Sequence, residues 1–126
     1  VWEMAQARFF ATMKGLPMWE ATRWCAGAAG WDVAITTAAY AVGALATLDL
    51  RWPLRQHVHL GAVAAYLATG LAVTVAIERW ALRVGHWRYT DSMPLVVGIG
   101  LTPLLQWIAI PLLVLGVVRR RFLPCK

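Results

Sequence analysis

The stretch that decides the fold is WRYTDSMPLVVGIGLTPLLQWIAIPLLVLGVV, residues 87–118, and three arginines follow it at 119–121. No side chain between residues 95 and 118 carries a charge. A helix of roughly 20 apolar residues is long enough to cross a hydrocarbon core about 30 Å thick. The stretch therefore predicts a membrane-spanning helix at about 94–118 that ends at the arginines.

The prolines and the glutamine of this stretch predict that the helix packs against other helices. Pro103 and Pro111 each remove a backbone donor and displace the carbonyl four residues earlier, on Ile99 and Trp107. In lipid those carbonyls need partners within the protein, so we expect a kinked helix with close neighbours. We also expect Gln106 to hydrogen bond to a neighbouring helix rather than to face lipid.

The composition of the whole chain is that of one membrane domain, residues 1–126. Hydrophobic residues make up 60% of it and charged residues only 14%, whereas soluble domains average about 25% charged residues. The net charge of +6 is carried between the apolar runs, where arginine and lysine set topology and meet lipid phosphates. We find no basic helix or stacking platform that would indicate nucleic-acid binding.

Two more apolar runs predict spans at about 31–49 and 58–78, which makes an all-α bundle of three transmembrane helices. Both carry small residues at four-residue spacing, a pattern that lets two helices approach closely. On the first run these are Ala39, Gly43 and Thr47, and on the second they are Gly61, Ala65 and Thr69. We expect these two rows to form the helix-packing faces.

Asp32 is the one charged residue of the first apolar run, and its role depends on where the helix begins. In a helix that begins near Trp31, the carboxylate caps the N-terminus and is favoured by the helix dipole. In a helix that begins near Trp24, Asp32 lies about 12 Å along it, where an intramembrane acid is a candidate functional residue. Gly27 and Gly30 weaken the longer helix and favour the capping interpretation.

Residues 1–20 are too charged to span a membrane. Their aromatic residues indicate a helix at the membrane interface, or alternatively the remainder of a spanning helix truncated ahead of Trp2. Because the chain begins with Val1 rather than Met, we expect it to be processed or truncated.

Antiparallel spans bring several polar residues to one membrane face. The predicted polar cluster consists of Asp32, Glu78, Arg79, His86, Tyr89 and Asp91. If Arg79 or Arg83 pairs with the carboxylates, the cluster is a structural ion network. If the carboxylates and His86 converge without a basic partner, they call for a cation. We predict the network, with no catalytic residue and no metal, because no spacing matches a metal-binding motif.

Several short motifs resemble those of a family of small bacterial integral membrane proteins. They are WExxQ at residues 2–6, Asp32 at the start of a helix, Glu78 with Trp80, WxYxxxMP at residues 87–94 and GLxPLxQWxxxP at residues 100–111. The resemblance covers most of the chain and implies a helical membrane fold in the bacterial cytoplasmic membrane, with a further spanning helix ahead of Trp2. It implies no reaction and no ligand.

The positive charges give only a weak indication of orientation. Lysine and arginine are evenly divided between the two sides, and the compact run Arg119 to Arg121 favours a cytoplasmic C-terminus. The polar cluster then lies at the outer face.

The sequence supports three classes of function. We favour a non-catalytic subunit or assembly factor of a larger membrane complex, because the chain is small and leaves little room for a cavity. The alternatives are a small membrane enzyme or metal protein that uses the acidic cluster, and an oligomeric transporter or channel in which Pro103 and Gln106 mark a broken helix. We expect the lipid bilayer and other membrane subunits as partners, and the sequence indicates no particular cofactor.

Overall fold

The computed structural model describes residues 2–123, so Val1 and residues 124–126 lie outside it. It contains four α-helices: α1 (Trp2–Gln6), α2 (Met18–Thr47), α3 (Leu60–Val84) and α4 (Leu101–Phe122). Short 3-10 turns at Ala7–Phe9, Ala11–Met13 and Trp52–Leu54 connect them, together with the strands β1 (Leu95–Val96) and β2 (Ile99–Gly100). The prediction of an all-helical fold is confirmed.

Two of the helices, α3 and α4, are long and apolar enough to cross a membrane. The predicted third span lies in α2, which at 30 residues is the longest helix but does not reach the same hydropathy. The physical reason is its composition, because Asp32 and the threonines 36, 37 and 47 interrupt a run in which the weakly hydrophobic alanine is the commonest residue. The structure thus contains two candidate spans among the described residues, where the sequence predicted three.

α2 begins much earlier than predicted, and this overturns the capping interpretation of Asp32. The helix starts at Met18, directly after Pro17. Asp32 therefore lies in the helix interior, about 21 Å from Met18 at 1.5 Å per residue. Gly27 and Gly30 do not interrupt the helix, because each costs only about 1 kcal/mol relative to alanine and neither position needs a special backbone conformation.

α3 is the central helix, and it packs against both α2 and α4. Its buried face is a row at four-residue spacing: Ala62, Tyr66, Gly70, Thr74 and Glu78. On α2, Ala39 and Gly43 are buried as predicted. On α3 the predicted row is wrong by one position, because Gly61 is exposed and Ala65 is only partly buried.

Two tryptophan rings pack against small residues in the interior of the bundle. Trp52 folds back from the α2–α3 loop and is only 2% exposed. Its ring lies against Gly43, where an added Cβ would come within 3.0 Å of the ring, and it contacts the ring of Tyr66. The ring of Trp107, from α4, lies against Gly70. Large aromatic rings therefore fill the spaces that the small residues leave open.

The chain before α4 is a β-hairpin and not the predicted helix. β1 and β2 pair in antiparallel fashion, and the turn between them places Val97 at φ 52° and Gly98 at φ 77°. Two-residue hairpin turns of this kind need positive φ at both positions. α4 therefore starts at Leu101 rather than near residue 94. Pro103 falls in its first turn, where backbone amides have no acceptor within the helix, and Pro111 is the proline in the helix interior.

Arg119 holds the end of α4 against the α2–α3 loop. Its guanidinium donates to the carbonyl oxygens of Pro53 at 2.8 Å, Arg55 at 2.9 Å and Gln56 at 3.2 Å. Within the loop, Arg55 Nε donates to Asp49 Oδ2 at 2.5 Å, and this bond holds the pKa of the Asp49 carboxyl below its usual range. These bonds hold the C-terminal end of α4 beside the loop that joins α2 to α3.

Candidate functional site

The N-terminal segment closes the other end of the bundle. The amide of Ala11 donates to the Arg88 carbonyl at 2.7 Å, and the amide of Thr90 donates to the Phe9 carbonyl at 2.8 Å. The ring of Phe10 also packs edge-on against Trp87, with centroids 6.2 Å apart. These contacts fix residues 2–13 to the α3–α4 connection, and they place α1 beside α2.

Two acids and two amides meet where α1, α2 and α4 approach one another; we call Glu3, Gln6, Asp32 and Gln106 the acid–amide cluster. Gln106 Nε2 donates to Asp32 Oδ2 at 2.5 Å. Gln6 Nε2 donates to Glu3 Oε2 at 2.9 Å and lies 3.4 Å from Gln106 Oε1. These bonds link the Glu3 carboxyl to the Asp32 carboxyl through the two amides. The prediction that Gln106 bonds to a neighbouring helix is confirmed.

Glu78 is a second buried acid, with 6% of its surface exposed. Its Oε2 accepts from Trp87 Nε1 at 3.1 Å and from the hydroxyl of Tyr89. Burial, and then the bond to Glu78, raises the pKa of the Tyr89 phenol, so the phenol keeps its proton and acts as the donor. The acid at the end of α3 is thus satisfied by two neutral aromatic donors.

Asp32, Glu78 and Gln106 lie in one layer of the bundle. At 1.5 Å per residue they are about 22, 27 and 24 Å from the opposite ends of α2, α3 and α4. A hydrocarbon core is about 30 Å thick, so in a membrane this layer lies near one interface.

A cavity of about 770 Å³ occupies the space between the acid–amide cluster and Glu78. Aromatic side chains form much of its wall, namely Phe10, Trp24, Trp31, Trp80, Trp87 and Trp107. Trp24, Trp31 and Trp80 are also 46%, 69% and 57% exposed, so the cavity is open to the surface rather than enclosed. Binding pockets for small molecules have this size and this mixture of an apolar wall with a few converging polar groups.

The structure brings together some of the predicted polar cluster but not all of it. Asp32, Glu78 and His86 line the cavity, and Tyr89 reaches it through its bond to Glu78. The His86 ring lies between tryptophans, with centroids 5.3 Å from Trp24 and 5.4 Å from Trp87. Arg79 and Asp91 are exposed and do not line the cavity.

The predicted ion network does not form among the described residues. Arg79 and Arg83 make no salt bridge with Asp32 or Glu78, and the ion pair between Arg55 and Asp49 lies at the opposite end of the bundle. The reason is geometric, because Arg79 and Arg83 lie on the exposed side of α3 while Glu78 lies on its buried face. Within residues 2–123, no three His, Cys, Asp or Glu side chains are grouped closely enough to hold a metal ion.

Most residues that line the cavity were not among the predicted site residues, and Glu3, Gln6 and Thr74 are the buried or acidic ones that matter most for its polar end. A signal for two of them exists in the sequence, because the three-residue spacing of Glu3 and Gln6 places both on one face of a helical turn. Thr74 has a weaker signal, since it lies one turn before Glu78 on the buried row of α3.

Fold and site together define an all-helical protein with candidate membrane spans and an aromatic-walled cavity that has acids at its polar end. The chain matches no protein-family model, no curated protein and no solved structure. The resemblance to a family of small bacterial membrane proteins stays a prediction.

Proposed function

We propose that the chain is an integral membrane protein with three spans and that α2 supplies the third. α2 packs along α3 over its apolar half, and Asp32 then lies at the same depth as Glu78 and Gln106. The part of α2 before Asp32 extends beyond the hydrocarbon core, which suits its Glu20, Arg23 and tryptophans. In this proposal the membrane is the bacterial cytoplasmic membrane, and the arginines at 119–121 lie in the cytoplasm.

Cysteine labelling tests this topology. In a background that carries Cys25→Ser and Cys125→Ser, single cysteines are introduced at Thr22, Val84 and Leu50. We expect an impermeant maleimide to label Thr22→Cys and Val84→Cys in intact cells, and Leu50→Cys only after permeabilisation. If Thr22→Cys instead behaves like Leu50→Cys, α2 does not cross the membrane and the chain has two spans.

We propose that the function of this membrane protein is to bind a small ligand with an apolar body in the cavity, without turnover. The cavity is the observation that supports this proposal. It also removes one reason for preferring a subunit role, namely that a chain of this size leaves little room for a cavity. The exposed apolar faces of α2 and α4 are covered by lipid in this proposal, and an association with other subunits stays a prediction.

Two glycines of α2 provide a matched test of ligand binding. Gly27 lines the cavity and Gly30 does not, and an added Cβ meets no atom within 4 Å at either position. Gly27→Phe should therefore fill the cavity without disturbing the helix, while Gly30→Phe places the same ring outside it. We expect the wild type and Gly30→Phe in lipid nanodiscs to bind a neutral dansyl-dodecylamide probe, detected by tryptophan-to-dansyl energy transfer, and Gly27→Phe to lose at least tenfold in affinity.

Empty nanodiscs measure the partition of the probe into lipid, which is subtracted. Equal binding by both phenylalanine variants would show that the probe lies in the bilayer and not in the cavity.

A further inference from the structure

Two residues that line the cavity each carry a buried polar atom that has no hydrogen-bond partner among the described residues. Gln6 is 8% exposed and Thr74 is 7% exposed, yet Gln6 Oε1 and Thr74 Oγ1 are unpaired. A buried polar atom without a partner costs about 1–3 kcal/mol, so native structures rarely leave one unmet. Gln6 Oε1 is an amide oxygen and can only accept a hydrogen bond. The bond from Nε2 of the same side chain to Glu3 identifies which end of the amide is the oxygen. The cavity therefore lacks a donor at this point.

The charges that line the cavity favour a cation. Glu3, Asp32 and Glu78 contribute three carboxyl groups, and Arg23 contributes the one guanidinium of the described lining residues. That guanidinium lies 5.5 Å from the centre of the Trp19 ring, and Trp19 does not line the cavity. Gln6 and Gln106 link Glu3 to Asp32 by hydrogen bonds, so two carboxyl groups lie at the same end of the cavity and favour a cation there.

The aromatic wall of the cavity also favours a cationic ligand. The faces of tryptophan rings attract cations, and an ammonium group close to a ring gains about 0.5–2 kcal/mol from this interaction. The aromatic wall also offers apolar area to the rest of a ligand. An anion would meet three carboxyl groups, and a hydrophilic cation would leave the tryptophans uncovered.

We propose that the ligand carries a primary ammonium group on an apolar body. The ammonium donates to Gln6 Oε1 and to the carboxylates of Glu3 and Asp32, while the apolar body lies along the tryptophans of the wall. This proposal rests on the proposed ligand-binding function and specifies the chemistry of its ligand. The ammonium is either that of a free amine or that of a lipid headgroup, since both present the same group to the cavity.

Competition among four compounds with the same twelve-carbon tail tests the headgroup. Dodecylammonium, dodecyltrimethylammonium, dodecanol and dodecanoate each compete against the neutral dansyl-dodecylamide probe in nanodiscs, with concentrations corrected for partition into empty discs. We expect dodecylammonium to compete at least tenfold better than dodecanol, and dodecanoate to be the weakest. The trimethylated cation, which has no N–H donor, should fall between dodecylammonium and dodecanol.

Asp32→Asn keeps the shape of the side chain and an acceptor for Gln106, and removes the charge. We expect it to reduce the preference for dodecylammonium over dodecanol about tenfold while the neutral probe still binds. Asp49→Asn, at the opposite end of the bundle, should leave the preference unchanged. Nanodiscs with and without phosphatidylethanolamine identify the source of the ammonium: competition by this lipid points to a headgroup, and its absence points to a free amine.

Equal competition by dodecylammonium and dodecanol would overturn the proposal and would mean that water satisfies the unpaired atoms. The ligand-binding function would still stand in that case, provided that Gly27→Phe blocks the neutral probe. A preference for dodecylammonium that persists unchanged in Asp32→Asn and in Glu3→Gln would also overturn it. Failure of every compound and of the probe to bind would instead reject the ligand-binding function itself.

Discussion

Gly70→Ala is expected to destabilise the helix bundle by about 3 kcal/mol, at the upper end of the usual cost of overpacking a core. A Cβ at this position would lie 2.2 Å from Cε3 and 2.5 Å from Cζ3 of Trp107. Trp107 is only 4% exposed, so either its ring must shift toward the cavity that it lines or α4 must move away from α3. The substitution therefore strains the contact that joins these two helices.

Gly116→Ala is the matched control, because Gly116 lies inside α4 and its added Cβ meets no atom within 4 Å. Thermal unfolding in a fixed detergent should show a large loss of stability for Gly70→Ala and none for Gly116→Ala. Trimming the ring should relieve the clash, so Gly70→Ala combined with Trp107→Leu should cost less than the sum of the two single variants. Strict additivity would mean that the two residues do not press on each other.

The apolar runs predicted the helical class of the fold and the approximate positions of α3 and α4, because hydrophobicity and length alone decide whether a segment suits a membrane. The local start of each helix was harder to predict. A proline and a glycine near residues 94 and 98 are compatible both with a kinked helix and with the hairpin that the structure contains. Only the pairing of β1 with β2 decides between them.

The predicted start of α4 was too early, and the predicted start of α2 was too late. Gly27 and Gly30 suggested a late start, yet the cost of two glycines is small beside the contacts that α2 makes along α3. A wrong start changed the role of Asp32 from a cap to a buried group bonded to Gln106. Helix propensity alone does not determine where α2 begins. It therefore could not predict the position of Asp32 or the site that contains this residue.

The cavity had no sequence signal that could be recognised in advance. Its polar end combines residues from α1, α2, α3 and α4, and only the packing of these helices brings Glu3, Asp32 and Gln106 together. Tryptophans that were expected at the membrane interface by composition also line the cavity, as Trp24 and Trp87 do. The sequence predicts that a tryptophan lies near a membrane interface, but it does not predict whether the ring faces lipid or the inside of the protein.

Glu78→Ala is expected to destabilise the protein by about 2 kcal/mol or more, although no ion pair is lost. The substitution removes the acceptor of both Trp87 Nε1 and the Tyr89 hydroxyl, which tie the α3–α4 connection to the end of α3. A buried donor without an acceptor costs about 1–3 kcal/mol. Both aromatic residues are partly exposed, so water reaches them in part and the cost is at the lower end of that range.

Two neighbouring substitutions separate this explanation from a general sensitivity of the region. Tyr89→Phe removes one donor and leaves the bond from Trp87 to Glu78, so it should cost about 1 kcal/mol. Arg79→Ala changes the next residue of α3, which is exposed and makes no ion pair with Glu78, so its effect should stay within about 0.5 kcal/mol. Thermal unfolding in the same detergent should therefore rank the losses Glu78→Ala, then Tyr89→Phe, then Arg79→Ala. A loss for Arg79→Ala as large as that for Glu78→Ala would indicate that an arginine pairs with the acid after all.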